Sequence, residues 1–145
     1  MVVHRPLTID LLAWWLRRRL LVIRLEGSSM APALEPGDLL LAARTHGAAR
    51  FSIVVEERLF PDGTIAHQVK RVTGRPGDRP RGLIVQAGYV WLEGDNAAVS
   101  SDSRQRGPIL ESTIAAVIVA ALRDGRLIDL RAPSSPSDAP THPGA

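Results

Sequence analysis

Ser52-Ile53-Val54-Val55-Glu56-Glu57-Arg58, then Pro61-Asp62-Gly63, then Thr64-Ile65-Ala66-His67-Gln68-Val69-Lys70-Arg71-Val72-Thr73 is the stretch on which the fold turns. Two short runs rich in β-branched residues flank a turn in which proline fixes φ and glycine admits the left-handed region, so the segment reads as strand, turn, strand. The same grammar extends in both directions. Pro36-Gly37-Asp38, Pro76-Gly77-Asp78 and Asp124-Gly125 cut further apolar runs, and two of these four turns join hairpins. Strands are expected at 20–25, 38–43, 52–58, 64–73, 82–86, 89–92, 113–122 and 126–130. The run 113–122, TIAAVIVAAL, fits a buried helix equally well by periodicity alone; its β-branched content favours a strand. The expected fold is mainly β and antiparallel, with a short N-terminal helix and a disordered C-terminal tail.

The chain has 145 residues, no cysteine and 45% apolar composition, enough for one hydrophobic core and incompatible with a disulfide scaffold or a Cys-ligated metal. His4, His46, His67 and His142 are scattered without metal-ligand spacing, so neither a metal nor a cofactor is expected. Eighteen Lys+Arg against 15 Asp+Glu give a formal charge of +3, a basicity too mild to demand an anionic partner. Almost all of the positive charge is arginine, because Lys70 is the only lysine.

Toward the N-terminus, Leu7 to Leu16 is apolar apart from Thr8 and Asp10, and Arg17-Arg18-Arg19 follows. Asp10 and the arginines interrupt the roughly 20 apolar residues that a spanning helix needs, so no transmembrane helix is predicted. The charges follow the apolar run instead of preceding it, which also argues against a secretory signal peptide. Residues 1–19 are expected to form a helix that either lies in a membrane interface through Trp14, Trp15, Arg17, Arg18 and Arg19 or packs on the domain. Residues 20–131 form the expected main domain, and the Pro/Ser/Ala-rich stretch 132–145 has too little to bury to fold.

Chemistry enters at Glu26-Gly27-Ser28-Ser29-Met30-Ala31-Pro32-Ala33-Leu34, a loop of small residues that can present a serine hydroxyl beside backbone N–H groups. Serine cannot attack an amide unaided at neutral pH and needs a base. On a strand, Gln68, Lys70 and Val72 share one face and Val69 and Arg71 the other. If the Lys70 face is buried, the amine loses hydration, its pKa falls, and it can serve as that base.

Three ordered stretches resemble the boxes of the type I signal peptidases, the S26-type Ser-Lys serine peptidases: Ser29-Met30-Ala31-Pro32-Ala33-Leu34; Lys70-Arg71-Val72-Thr73-Gly74-Arg75-Pro76-Gly77-Asp78; and Gly94-Asp95-Asn96 with Ser100-Ser101-Asp102-Ser103-Arg104-Gln105-Arg106-Gly107-Pro108-Ile109. The resemblance runs over about 22–119. Val90-Trp91-Leu92-Glu93-Gly94-Asp95-Asn96 is especially similar to the mitochondrial inner membrane peptidases of the same family.

The resemblance implies a signal-peptidase-like β fold and a serine endopeptidase that removes a signal or leader peptide through an acyl-enzyme. It makes Ser29 the nucleophile and Lys70 the general base. Ser100 matches the serine that orients the lysine amine, and Asp102 and Arg104 match a supporting polar pair. Gly27 stands where some relatives carry an oxyanion-stabilising hydroxyl, which leaves backbone N–H groups of the Gly27-Ser28-Ser29 loop for that role. Met30, walling the dyad from water, and Pro32 are candidates for the substrate pocket, while Asp95 and Asn96 are expected to hold a turn. Two departures are visible: Ala33 replaces the usual threonine, and Phe51-Ser52 replaces a Gly-Asp turn, which implies an altered start to the third strand.

With no anchor predicted, the implied enzyme is either membrane-associated, through its N-terminal helix or an anchoring partner subunit, or a cytoplasmic maturation protease for one dedicated partner, as relatives resembling nickel superoxide dismutase maturation proteases are. Self-cleaving repressors share the Ser-Met loop and Val-Lys-Arg strand, but the residues before Leu20 are too few for a helix-turn-helix. A Ser29, His67, Asp102 triad is a further alternative, although His67 falls on the face opposite Lys70. A non-catalytic basic binding module would use Arg17 to Arg19 with Arg75, Arg79 and Arg81, yet no aromatics interleave with them, so nucleic acid is not the expected partner.

Overall fold

The stretch 52–73 folds as a hairpin. In the computed structural model, which describes residues 15–130 apart from 17 and 46, β3 (Ile53–Leu59) pairs antiparallel with β4 (Ile65–Gly74) from Ile53↔Arg71 to Leu59↔Ile65. Its turn is closed by Phe60 N–H to the Thr64 carbonyl (2.8 Å) and by Thr64 N–H to Asp62 Oδ1 (2.9 Å). The other strands are β1 (Leu20–Arg24), β2 (Leu39–Arg44), β5 (Tyr89–Glu93), β6 (Ile109–Leu110), β7 (Ile114–Arg123) and β8 (Arg126–Leu127). Every pairing is antiparallel, in the order β1-β2-β7-β3-β4-β5-β6, with β8 on β7. One short helix, α1 (Ser103–Arg106), precedes β6. The mainly β antiparallel fold expected from the sequence is the fold observed.

The central hairpin is covered on both faces, and alternation divides its apolar residues between two cores. Ile53, Val55 and Val69 join Met30, Leu34 and Leu40 in one, whereas Val54 and Val72 join Val90, Leu92, Ile109 and Ile114 in the other. Lys70 lies between Val69 and Val72 on the second face and is buried. The run expected at 113–122 is strand from Ile114 to Arg123, not helix, with Thr113 ending a 3-10 turn: between β2 and β3 it must supply a ladder on both sides, and its β-branched residues suit a pleated surface.

Several expectations need correction. Residues 82–86 are not a strand. Pro80–Gly82 form a 3-10 turn in which Arg81 and Gly82 both take positive φ, and Val85 is tied back to Asp78 and Gly77 by two backbone hydrogen bonds, so the loop closes on itself. β8 is two residues long and does not reach 130. β6 was not expected, since two residues carry no periodicity. Residues 15–16 and 18–19 have helical backbone, with Arg19 over the Trp15 ring at 5.6 Å; the rest of the expected helix, including Trp14 and Arg17, and the expected tail 132–145 lie outside the described residues. Phe51, which leads into β3, sits at φ 67 and donates its N–H to the Val72 carbonyl (2.7 Å), a conformation that is strained for a residue with a bulky side chain.

Candidate active site

Ser29 is carried by the loop between β1 and β2. Met30 and Leu34, both fully buried, anchor that loop in the core, and Leu34 N–H donates to the Met30 carbonyl at 2.9 Å. Gly27 turns the chain at φ 79. The turn 94–96 then fixes the loop from the side. Asn96 N–H donates to the Ser29 carbonyl at 2.8 Å, and its side-chain amide to the Ser28 carbonyl at 3.2 Å. Asp95 is held by a bidentate bond from Arg71, at 2.9 and 2.7 Å, and the same guanidinium donates to the carbonyls of Phe51 and Leu130. The turn expected of Asp95 and Asn96 therefore carries a second duty that reading the sequence missed: it docks the Ser29 loop.

Gly94 permits that docking. A Cβ at this position would lie 2.6 Å from the Ser29 carbonyl oxygen and would collide with the Ser100 hydroxyl, so the close approach needs glycine.

Lys70 reaches the same place from β4. Its Nζ donates to Ser100 Oγ at 3.1 Å, and Ser100 Oγ donates to Asp102 Oδ2 at 2.5 Å. Asp102 is wholly buried and saturated: Oδ2 also accepts from Gly94 N–H (2.8 Å) and Arg104 Nη2 (2.6 Å), and Oδ1 from Arg104 N–H and Nε, both at 3.0 Å. It also caps α1 in a reciprocal capping box with Gln105. Arg104 donates further to the Gly94 carbonyl (2.9 Å), and Ser103 Oγ accepts from Leu92 N–H (2.9 Å), which ties α1 to β5.

Burial alone would raise the Asp102 pKa. The bonds from Arg104, Ser100 and the Gly94 N–H outweigh it and hold the carboxyl well below the usual carboxylate range. Asp102 is then acceptor-only, so Ser100 must spend its single proton on it and can only accept from Lys70. Burial pushes the Lys70 pKa down from its ordinary value; Asp102 and Glu56 pull it up, and Arg106 and Arg104 push it further down. A neutral amine that donates to Ser100 keeps its lone pair for another partner.

Ser29 and Lys70 both line a groove of about 680 Å³ whose aliphatic wall includes Leu21, Ile23, Val55, Val69 and Ala116. Met30 is packed in the core and Pro32 is exposed, and neither is among the lining residues. His67 is exposed and 3.5 Å from Glu57, while Asp102 is committed to Ser100 and Arg104, so the alternative triad is not assembled. Among the described residues no helix is long and apolar enough to cross a membrane.

The family model described as signal peptidase, peptidase S26, matches residues 5–82. Mitochondrial inner membrane protease subunit 1 of Schizosaccharomyces pombe is 34% identical over 107 residues, which cover 66% of this chain and 68% of that protein. Subunit 1 of Mus musculus is 34% identical over 102 residues, 61% of this chain and 60% of the relative. Subunit 2 of Danio rerio is 32% identical over 120 residues, 72% and 62%. The chain thus spans about three fifths of the length of the mouse and zebrafish proteins. With the family match covering more than half of it, on a mainly antiparallel β fold, the chain belongs to the S26 signal peptidase family of peptidases.

Proposed function

We propose that the chain is a serine endopeptidase that removes an N-terminal signal or leader peptide from a precursor protein with a Ser29-Lys70 dyad. The observation that carries the reading is the buried order Lys70, Ser100, Asp102: the serine oxygen accepts from the amine because its proton is given to the carboxylate. Burial favours the uncharged amine, and Ser29 lines the same groove.

In this mechanism neutral Lys70 takes the Ser29 hydroxyl proton and the alkoxide attacks the scissile carbonyl carbon. The tetrahedral oxyanion is met by backbone N–H groups of the Gly27-Ser28-Ser29 loop. As the C–N bond breaks, the Lys70 ammonium returns its proton to the leaving amine, which leaves an acyl ester on Ser29. Lys70 then takes a proton from water, the hydroxide attacks the ester, and the ammonium restores the Ser29 hydroxyl. Ser100, Asp102 and Arg104 hold the amine in place.

The substrate is an extended chain with small residues at the cut. β1 lies at the end of the strand order and its Leu21 and Ile23 line the groove, so main-chain pairing to that strand would seat such a chain without reading its side chains. The relatives' names place them at the mitochondrial inner membrane and as subunits. We extend to this chain a membrane-proximal site of action, with Trp15, Arg18 and Arg19 at the lipid and a partner subunit as anchor.

The test is cleavage of a peptide with alanine at the cleavage position and two residues before it, with and without anionic vesicles. Wild type should cut, Ser29→Ala and Lys70→Ala should not, and vesicles should raise the rate. Cutting by Lys70→Ala at the wild-type rate would overturn the dyad. Full activity that vesicles do not change would favour a soluble maturation protease over a membrane-bound one.

A further inference from the structure

Glu56 lies in the middle of β3 and is 2% exposed. It is held by Arg106, the last residue of α1, through two parallel bonds, Nη1 to Oε1 at 2.8 Å and Nη2 to Oε2 at 2.9 Å. Among the described residues Arg106 Nε has no hydrogen-bond partner, and Glu56 supplies this guanidinium's hydrogen bonds. In the β3–β4 register Glu56 stands opposite Gln68 and Val54 opposite Lys70, which makes Glu56 and Lys70 diagonal neighbours on one face. A bare carboxylate there would stabilise an ammonium and hold Lys70 protonated. The guanidinium offsets much of that pull.

The charged groups that act on Lys70 come from two elements. The α1 segment brings Asp102, Arg104 and Arg106, and β3 brings Glu56. They form two ion pairs, Asp102 with Arg104 and Glu56 with Arg106. The remaining charged residues of the groove, Arg24, Glu26, Arg44, Glu57 and His67, are exposed. We propose that Arg106 is a positioning residue that neutralises Glu56 and thereby keeps the dyad lysine in its proton-accepting form. The proposal rests on Lys70 being the general base.

Lys70 is the only lysine of the chain, so protein labelled with [13Cε]lysine yields one lysine resonance, and its titration can be followed without any substrate. Arg106→Gln should raise the midpoint by about one pH unit or more, because it leaves an unpaired carboxylate beside the amine. Glu56→Gln should lower it, because it leaves an unpaired guanidinium. The double variant, with both charges gone, should return close to wild type. A purely structural pair would change thermal stability without moving the midpoints in opposite directions. If Arg106→Gln does not fold, Glu56→Gln and the double variant carry the same test. Unmoved midpoints, or shifts of the same sign in both single variants, would overturn the proposal. The general-base reading fails separately, through cleavage by Lys70→Ala.

Discussion

Asn96 donates its backbone N–H to the carbonyl oxygen of Ser29 at 2.8 Å, and the neighbouring Asp95 is gripped by Arg71, the residue next to Lys70. The strand that carries the lysine thus also holds the turn that holds the serine loop. Ser29 and Lys70, 41 positions apart, are registered through these part-buried polar bonds.

Gly94 is the tightest point of that arrangement. Gly94→Ala should push the Ser29 carbonyl and the Ser100 hydroxyl apart and lower kcat on the alanine peptide about 100-fold, the scale of an ångström's misplacement. Steady-state kinetics, with circular dichroism to establish folding, would check this.

Arg71 is buried and its loss leaves Asp95 without its partner. Arg71→Met should destabilise the fold by about 3–5 kcal/mol, the usual cost of breaking one side of a buried pair. Urea unfolding followed by tryptophan fluorescence measures it.

Ser100→Ala removes the acceptor that orients Lys70 while leaving Asp102 its bonds from Arg104 and Gly94. A fall of about 100-fold in kcat with little change in KM is expected, as for other groups that position a general base. A KM effect alone would assign Ser100 to substrate binding.

The pH dependence has a definite sign. In the proposed dyad Lys70 must be neutral to act, and burial pushes its pKa below the ordinary 10.5, so kcat/KM should rise with pH along an acid limb whose midpoint is below 10.5. Asp102 acts on stability in the acid range. Its folded pKa is depressed, so its contribution is complete above its unfolded value near 3.8 and is lost as pH falls below it. Asp102→Asn should lower stability at neutral pH and flatten the acid dependence of the unfolding midpoint between about pH 4 and pH 2.

Much of this was legible in the sequence because it is local. The β3–β4 hairpin is announced by its turn and its β-branched runs, and strand alternation alone sends Lys70 to the face opposite Val69. What escaped was set by distance in sequence or by backbone conformation. Arg81 at positive φ turns 82–86 from a strand into a loop, and a strand as short as Ile109–Leu110 has no pattern to read. The Glu56–Arg106 pair joins residues 50 apart. Asn96 reads as a turn residue, which it is, while its bond to Ser29 exists only once β4 and β5 are paired.

The central claim is that positions 29 and 70 exchange a proton, and it can be measured directly because the chain has no cysteine. Ser29→Cys introduces a single thiol, whose rate of alkylation by iodoacetamide reports its thiolate fraction at each pH. With Lys70 present, the thiol should pass its proton to the amine and react at pH 7 at least about tenfold faster than in the Ser29→Cys/Lys70→Ala protein, where a pKa near the ordinary 8.5 is expected. Equal rates and equal pH profiles in the two proteins would contradict the dyad.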